Sequence, residues 1–227
     1  MKAIKVLLFG GTFNPIHNGH LLIAQHVMEK LNFDKVIFIP SARPALKNIK
    51  IEFIQRITMV RMAISGNEYF EVSDIENHID GPSYTIETIK HIRELGMFGV
   101  GEYDFHWFIG ADNLEDLKSW YKIDKLVEEY FFVLGIPDNK RKYYSNMGIS
   151  SKKTPDHRKW FKTLPQCKDD SFYEKMNENT TAVSIPQIDI RSTIIRDNIA
   201  KGLSIKYMVP SMVERYINNY GLYTTTQ

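Results

Sequence analysis

The stretch Gly10-Gly11-Thr12-Phe13-Asn14-Pro15-Ile16-His17-Asn18-Gly19-His20 joins an apolar run, Val6-Leu7-Leu8-Phe9, to a second apolar segment running from Leu21 to Val27. Two glycines allow a sharp turn and a close approach of backbone to ligand. A helix that follows such a turn offers free N–H groups and the positive end of its dipole. His17 and His20 are three residues apart, so they share one face of the first helical turn, and imidazole N–H groups donate to phosphate oxygens. Together these features suit the gripping of a phosphate, with the backbone around Thr12 and Phe13 contributing donors. The alternative is a plain tight turn with two surface histidines. The pair could in principle bind zinc, but with no further His or Cys close by it is weak evidence for such a site, and no metal site is assigned. The stretch is neither a G-x-G-x-x-G fingerprint nor a P-loop.

A second cluster is Ile190-Arg191-Ser192-Thr193-Ile194-Ile195-Arg196. Ser192 and Thr193 lie at an expected helix start, where hydroxyls cap and N–H groups face an anion. Arg196, one turn on, reaches a phosphate bidentately. A simple cap with a solvated arginine is the other reading. In the loop from Ser41 to Lys50, Arg43 and Lys47 are cations within reach of a triphosphate, or else a solvated basic loop.

These residues need elements to hold them. The chain has 227 residues, 43% hydrophobic, enough for one large domain or two small ones. The formal net charge of +2 is too small to argue for nucleic acid. The one cysteine, Cys167, excludes an internal disulfide and suits a reducing compartment. No apolar stretch approaches the roughly 20 residues that cross a bilayer, so no membrane is expected and a cytoplasmic protein is. Buried strands are predicted at Ile4 to Phe9, Lys35 to Pro40, around Tyr69 to Val72, before Gly110, at Phe131 to Pro137 and from Thr181. Helices are predicted at Asn18 to Leu31, at Glu52 to Ile64, from Pro82-Ser83 to near Gly96, and as two short pieces between Asn113 and Tyr130. About five strand–helix alternations predict an α/β fold, an open parallel sheet with helices on both faces. Ligands bind such sheets beyond the carboxyl ends of the strands. A C-terminal helical subregion follows, Arg191 to Gly202 and Pro210 to Gly221. Residues 137–180 are polar, lysine-rich and broken by prolines, and read as an insertion into a single domain, with one short helix around Arg158 to Phe161. A lid, an oligomer contact and a solvated excursion all stay open for it, and so does a homo-oligomer.

The Gly10–His20 stretch resembles the signature of the class I nucleotidylyltransferases, with its H-x-G-H motif after the first strand. Gly81-Pro82-Ser83-Tyr84-Thr85, the run from Phe108 to Trp120, the Ile190–Arg196 block and the ending from Val209 to Tyr223 are similar to bacterial nicotinate-mononucleotide adenylyltransferases. The resemblance covers nearly all of the chain outside residues 137–180. It implies a Rossmann-like nucleotidylyltransferase fold and AMP transfer from ATP to nicotinate mononucleotide, a step of NAD synthesis, with Mg²⁺ carried by the triphosphate. It implies that His20 stabilises the α-phosphate and His17 assists, that Gly10, Gly11, Thr12, Phe13, Lys47, Ser192, Thr193 and Arg196 meet ATP, and that Trp120 stacks on the pyridine near Tyr84, Thr85, Gly110 and Asp112. As plain structure, Trp120 and Tyr84 would be core aromatics and Asp112 a helix cap. The chain departs from the family pattern at Leu46, where a histidine is usual, and at Arg191, where a serine is. Nicotinamide mononucleotide or phosphopantetheine as acceptor, and a regulatory nucleotide-binding module, remain the alternatives.

Overall fold

A computed structural model describes residues 3–45, 49–95, 102–114, 116–138, 176 and 178–224. Six strands, β1 (Ile4–Gly11), β2 (Lys35–Pro40), β3 (Phe70–Val72), β4 (Tyr103–Gly110), β5 (Phe131–Pro137) and β6 (Thr180–Ile185), form one sheet in the order β3-β2-β1-β4-β5-β6. Every pairing is parallel. The strand order reverses between β1 and β4, which places the switch point, and its ligand crevice, beyond Gly11 and Gly110.

Parallel strands covered on both faces are apolar throughout, and β1 shows why. Val6 and Leu8 face one core cluster, while Leu7 and Phe9 face the other. The first cluster is closed by α3 (Thr85–Glu94) and α4 (Ile123–Glu129) through Ile86, Ile89, Leu126 and Val127. The second is closed by α1 (Asn18–Leu31), α2 (Phe53–Ile64), α5 (Ser192–Ala200) and α6 (Ser211–Asn219) through Val27, Met59, Ile195 and Val213. Each fully buried Leu, Val, Ile or Phe stabilises by about 1.5–3 kcal/mol relative to an exposed one. The open parallel sheet and its C-terminal helices are thus as the sequence predicts. β3 is short and runs into a 3₁₀ turn (Ile75–Asn77), and two further 3₁₀ turns (Ala111–Asn113 and Leu117–Ser119) follow β4. The helix expected around Arg158 to Phe161 lies outside the described residues.

Candidate active site

β1 runs on through both glycines, and this corrects the expectation that they form the bend. Gly10 and Gly11 are extended and pair with Ile39 and Pro40 of β2. Their smallness serves close packing. A Cβ on Gly10 would stand 2.2 Å from Cζ2 of Trp107, and one on Gly11 would stand 2.9 Å from Cζ of Phe13. The bend falls at Phe13, whose φ is 47°. A bulky residue in the left-handed region costs about 1–3 kcal/mol. The Phe13 ring is buried against Phe38, with centroids 5.8 Å apart, and meets the His20 ring edge-on at 5.1 Å, contacts that offset the strain.

The two histidines open α1. His17 is the N-cap residue, and its backbone N–H donates to Nδ1 of His20 at 3.2 Å. The rings stack with centroids 3.6 Å apart and planes 20° apart. Burial pulls the His17 imidazole down to about 4. Burial first, then the neighbouring His17, pulls His20 well below its usual value. Both are therefore neutral at pH 7. A neutral imidazole carries one proton, so His20, accepting at Nδ1, carries it on Nε2 and donates from there. His17 Nδ1 is buried and has no hydrogen-bond partner among the described residues. An unpartnered buried polar atom costs about 1–3 kcal/mol.

The turn from Thr12 to Pro15 is tied down by four side chains from distant parts of the chain. Ser192 Oγ donates to the Pro15 carbonyl at 2.9 Å, and Arg196 Nη1 donates to the Asn14 carbonyl at 2.8 Å. The Tyr223 hydroxyl donates to Asn14 Oδ1 at 2.8 Å, and burial pushes that phenol well up, so it stays protonated. Arg56 Nη1 donates to the Thr12 carbonyl at 2.8 Å. The N-terminus of α5 is thus brought to the turn after β1, but Ser192 is not a cap. Arg191 takes the N-cap position, exposed, and no side chain caps the helix. Thr193 is exposed. Lys47 and Leu46 lie outside the described residues.

Arg43 turns out to be a cross-link rather than a cation free for a triphosphate. Its Nε donates to the Gly81 carbonyl at 2.7 Å, and its Nη2 donates to the Ile79 carbonyl and to that of Glu76. Arg43 and Ser83 are also joined twice, Ser83 N–H to the Arg43 carbonyl and Arg43 N–H to Ser83 Oγ, both at 2.9 Å. A cavity of about 640 Å³ opens beside them, lined by Arg43, Pro44, Ile51, Phe53, Arg56 and Pro82 among others.

Tyr84 is the N-cap residue of α3 and Thr85 its first residue. The Tyr84 ring stacks on Tyr121, with centroids 4.3 Å apart. Trp120, which ends the 3₁₀ turn Leu117–Ser119, is half-buried against the cluster that α3 and α4 close. Its ring is thus neither fully core nor fully free. Gly110 ends β4, and a side chain there would strike Asp112 Oδ1, since an added Cβ stands 2.4 Å from it. Asp112 lies within a 3₁₀ turn and accepts from Asn113 Nδ2 at 3.1 Å, so it is not a cap.

Sequence reasoning passed over Arg56, Glu76, Asn14, Tyr121 and Tyr223. Arg56 had a signal: it lies three residues after Phe53, on the apolar face of α2, where a charge is out of place.

A cytidylyltransferase-like family model matches residues 8–198. A probable nicotinate-nucleotide adenylyltransferase of Caldicellulosiruptor bescii is 34% identical over 222 residues, 97% of this chain and 99% of that one. A counterpart of the same name from Clostridium tetani is 36% identical over 221 residues, 96% of this chain and 98% of that one.

The chain belongs to the nicotinate-nucleotide adenylyltransferase family.

Its fold agrees with that of a family structure, the Plasmodium falciparum nicotinic acid mononucleotide adenylyltransferase complexed with NaAD. The TM-score is 0.70 at 21% identity, covering 96% of this chain and 97% of the other. As a nicotinate-nucleotide adenylyltransferase family member, the chain carries its histidine pair at the carboxyl end of the central strand, where an open parallel sheet binds its ligand. Among the described residues no helix is long and apolar enough to cross a membrane, and no three His, Cys, Asp or Glu side chains group to hold a metal ion.

Proposed function

We propose that this chain transfers AMP from ATP to nicotinate mononucleotide, forming nicotinate adenine dinucleotide and releasing pyrophosphate. The observation that carries the reading is the stacked, neutral His17–His20 pair at the N-terminus of α1. A phosphate oxygen of the mononucleotide attacks the α-phosphorus of ATP. A P–O bond forms there, and the bond to the oxygen bridging the α- and β-phosphates breaks. No general base is required, because the attacking phosphate is already ionised at neutral pH. The chain's work is to position two anions in line and to meet the charge that grows as they react.

His20 Nε2–H donates to an α-phosphate oxygen, and His17 supports it through the backbone N–H that fixes the His20 tautomer. The turn from Gly10 to Phe13 and the N-terminal end of α5, with Ser192, Thr193 and Arg196, face the triphosphate. The Tyr84–Tyr121 stack and the half-buried Trp120 frame the pyridine, and Thr85, Gly110 and Asp112 lie along the same sheet edge. Imidazole N–H, hydroxyl, amide and guanidinium groups recognise anions, so Mg²⁺ enters as part of the ATP substrate.

The test is pyrophosphate release with Mg²⁺ and ATP, offering nicotinate mononucleotide, nicotinamide mononucleotide and phosphopantetheine in turn. Fastest release with the first is the expected result. Faster release with either of the others reassigns the acceptor. Nucleotide binding without release with any of the three identifies a regulatory module instead.

A further inference from the structure

Arg56 is buried in the first turn of α2 and, among the described residues, makes no hydrogen bond to a carboxylate. Its guanidinium donates to three backbone carbonyls: Thr12 at 2.8 Å, Ala42 at 3.4 Å and Ile51 at 3.4 Å. Thr12 belongs to the phosphate turn after β1. Ala42 and Ile51 belong to the loop between β2 and α2. Three carbonyls drawn from two loops share one planar fork, a geometry that an ammonium does not reproduce.

Ala42 is held from its other pole as well. Its N–H donates to Glu76 Oε2 at 3.1 Å, and the second oxygen of that buried carboxylate accepts from Thr88 Oγ1 of α3 at 2.8 Å. One residue thus stands between a buried cation and a buried anion. Both charges feel the burial. It lowers the pKa of Arg56, opposed by Tyr223 and Glu76, and raises that of Glu76, opposed by hydrogen bonds from Ser83, Thr88 and Ala42 and by Arg56. The next residue, Arg43, carries the connection to Ser83 through its paired backbone bonds, and Ser83 adjoins Tyr84 at the head of α3.

We propose that Arg56 is a positioning residue that couples the two substrates. The bridge runs from Thr12 through Arg56, Ala42 and Arg43 to Ser83, so that ordering one half of the site orders the other. This rests on the reading above, that the Thr12 turn takes the triphosphate and the Tyr84 block takes the pyridine. Neither Arg56 nor Ser83 is assigned a contact with the reacting atoms. Their effect falls on how each substrate changes the affinity for the other, a quantity that is reciprocal between the two sites.

The test is calorimetric binding of a non-reactive α,β-methylene analogue of ATP, with and without saturating nicotinate mononucleotide. In the native chain each is expected to tighten the other about fivefold or more, the lower end of ordinary coupling. Arg56→Lys keeps the charge and loses the fork. Ser83→Ala removes a half-buried hydroxyl and leaves the core untouched, so it keeps the test open should the lysine variant fail to melt cooperatively. In either folded variant coupling is expected to fall to about one, while affinity for the analogue alone stays within about threefold. Absent coupling in the native chain, or retained coupling in a folded variant, overturns the proposal. Failure of the native chain to bind nicotinate mononucleotide at all sinks the acceptor assignment instead, and the two results are distinct.

Discussion

His20 accepts the backbone N–H of His17 at Nδ1, 3.2 Å away, and this leaves Nε2 as its donor. His20→Ala is accordingly expected to lower turnover by about 10²-fold or more, the usual cost of a lost transition-state donor. The fold should persist, since α1 is anchored by Ala24, Val27 and Met28. Pyrophosphate release and a thermal melt check both parts. Near-normal turnover would remove His20 from its role.

Protonation of the pair should loosen the protein. The sign follows from the direction of the shifts. The folded-state pKa of His17 lies at about 4 against an ordinary 6.5, so the unfolded chain takes up its proton first as pH falls. This part of the stability is whole above 6.5 and is lost toward 4, at about 1.4 kcal/mol per pH unit. His20, also shifted down, acts in the same direction. Glu76, shifted up, acts oppositely, favouring the folded state as pH falls through its own raised value. Urea unfolding at pH 7 and pH 5 should therefore be compared with His17→Asn, which should show the smaller loss. Equal losses in the two proteins would contradict the assignment.

Gly10→Ala should push against the Trp107 ring. With that ring 5% exposed and enclosed, the added methyl is expected to cost about 1–3 kcal/mol. Shrinking the neighbour in Gly10→Ala/Trp107→Phe should recover part of the loss, and a double-mutant cycle measures the coupling. Strictly additive effects would mean that the two residues do not compete for the same space.

Trp120→Ala tests the acceptor side. Stacking contributes beyond buried area, so the KM for nicotinate mononucleotide should rise about tenfold while that for ATP changes little. Equal losses for both substrates would indicate core damage, since the ring also leans on the α3–α4 cluster.

Much of the sheet was legible because its strands are continuous apolar runs stopped by glycine or proline. Lys35–Pro40 and Phe131–Pro137 form as predicted, and α1 spans Asn18 to Leu31 as its periodicity required. The histidine pair was legible from spacing alone. The bend was not: a phenylalanine with positive φ leaves no local trace, and two adjacent glycines offered a ready but mistaken answer. Arg43 misled for a related reason. A loop cation looks free until tertiary structure reveals the carbonyls of Glu76, Ile79 and Gly81 around it. The Ser192 hydroxyl likewise serves a carbonyl 177 residues away, a partner that no window of sequence contains.

The bond from Tyr223 to Asn14 spans 209 positions. Synthesis runs from the N-terminus, so the histidines emerge long before Tyr223, and the turn beside them has no latch until that residue has been made. A chain cut short before Tyr223 carries both histidines but lacks the bond that braces the turn beside them.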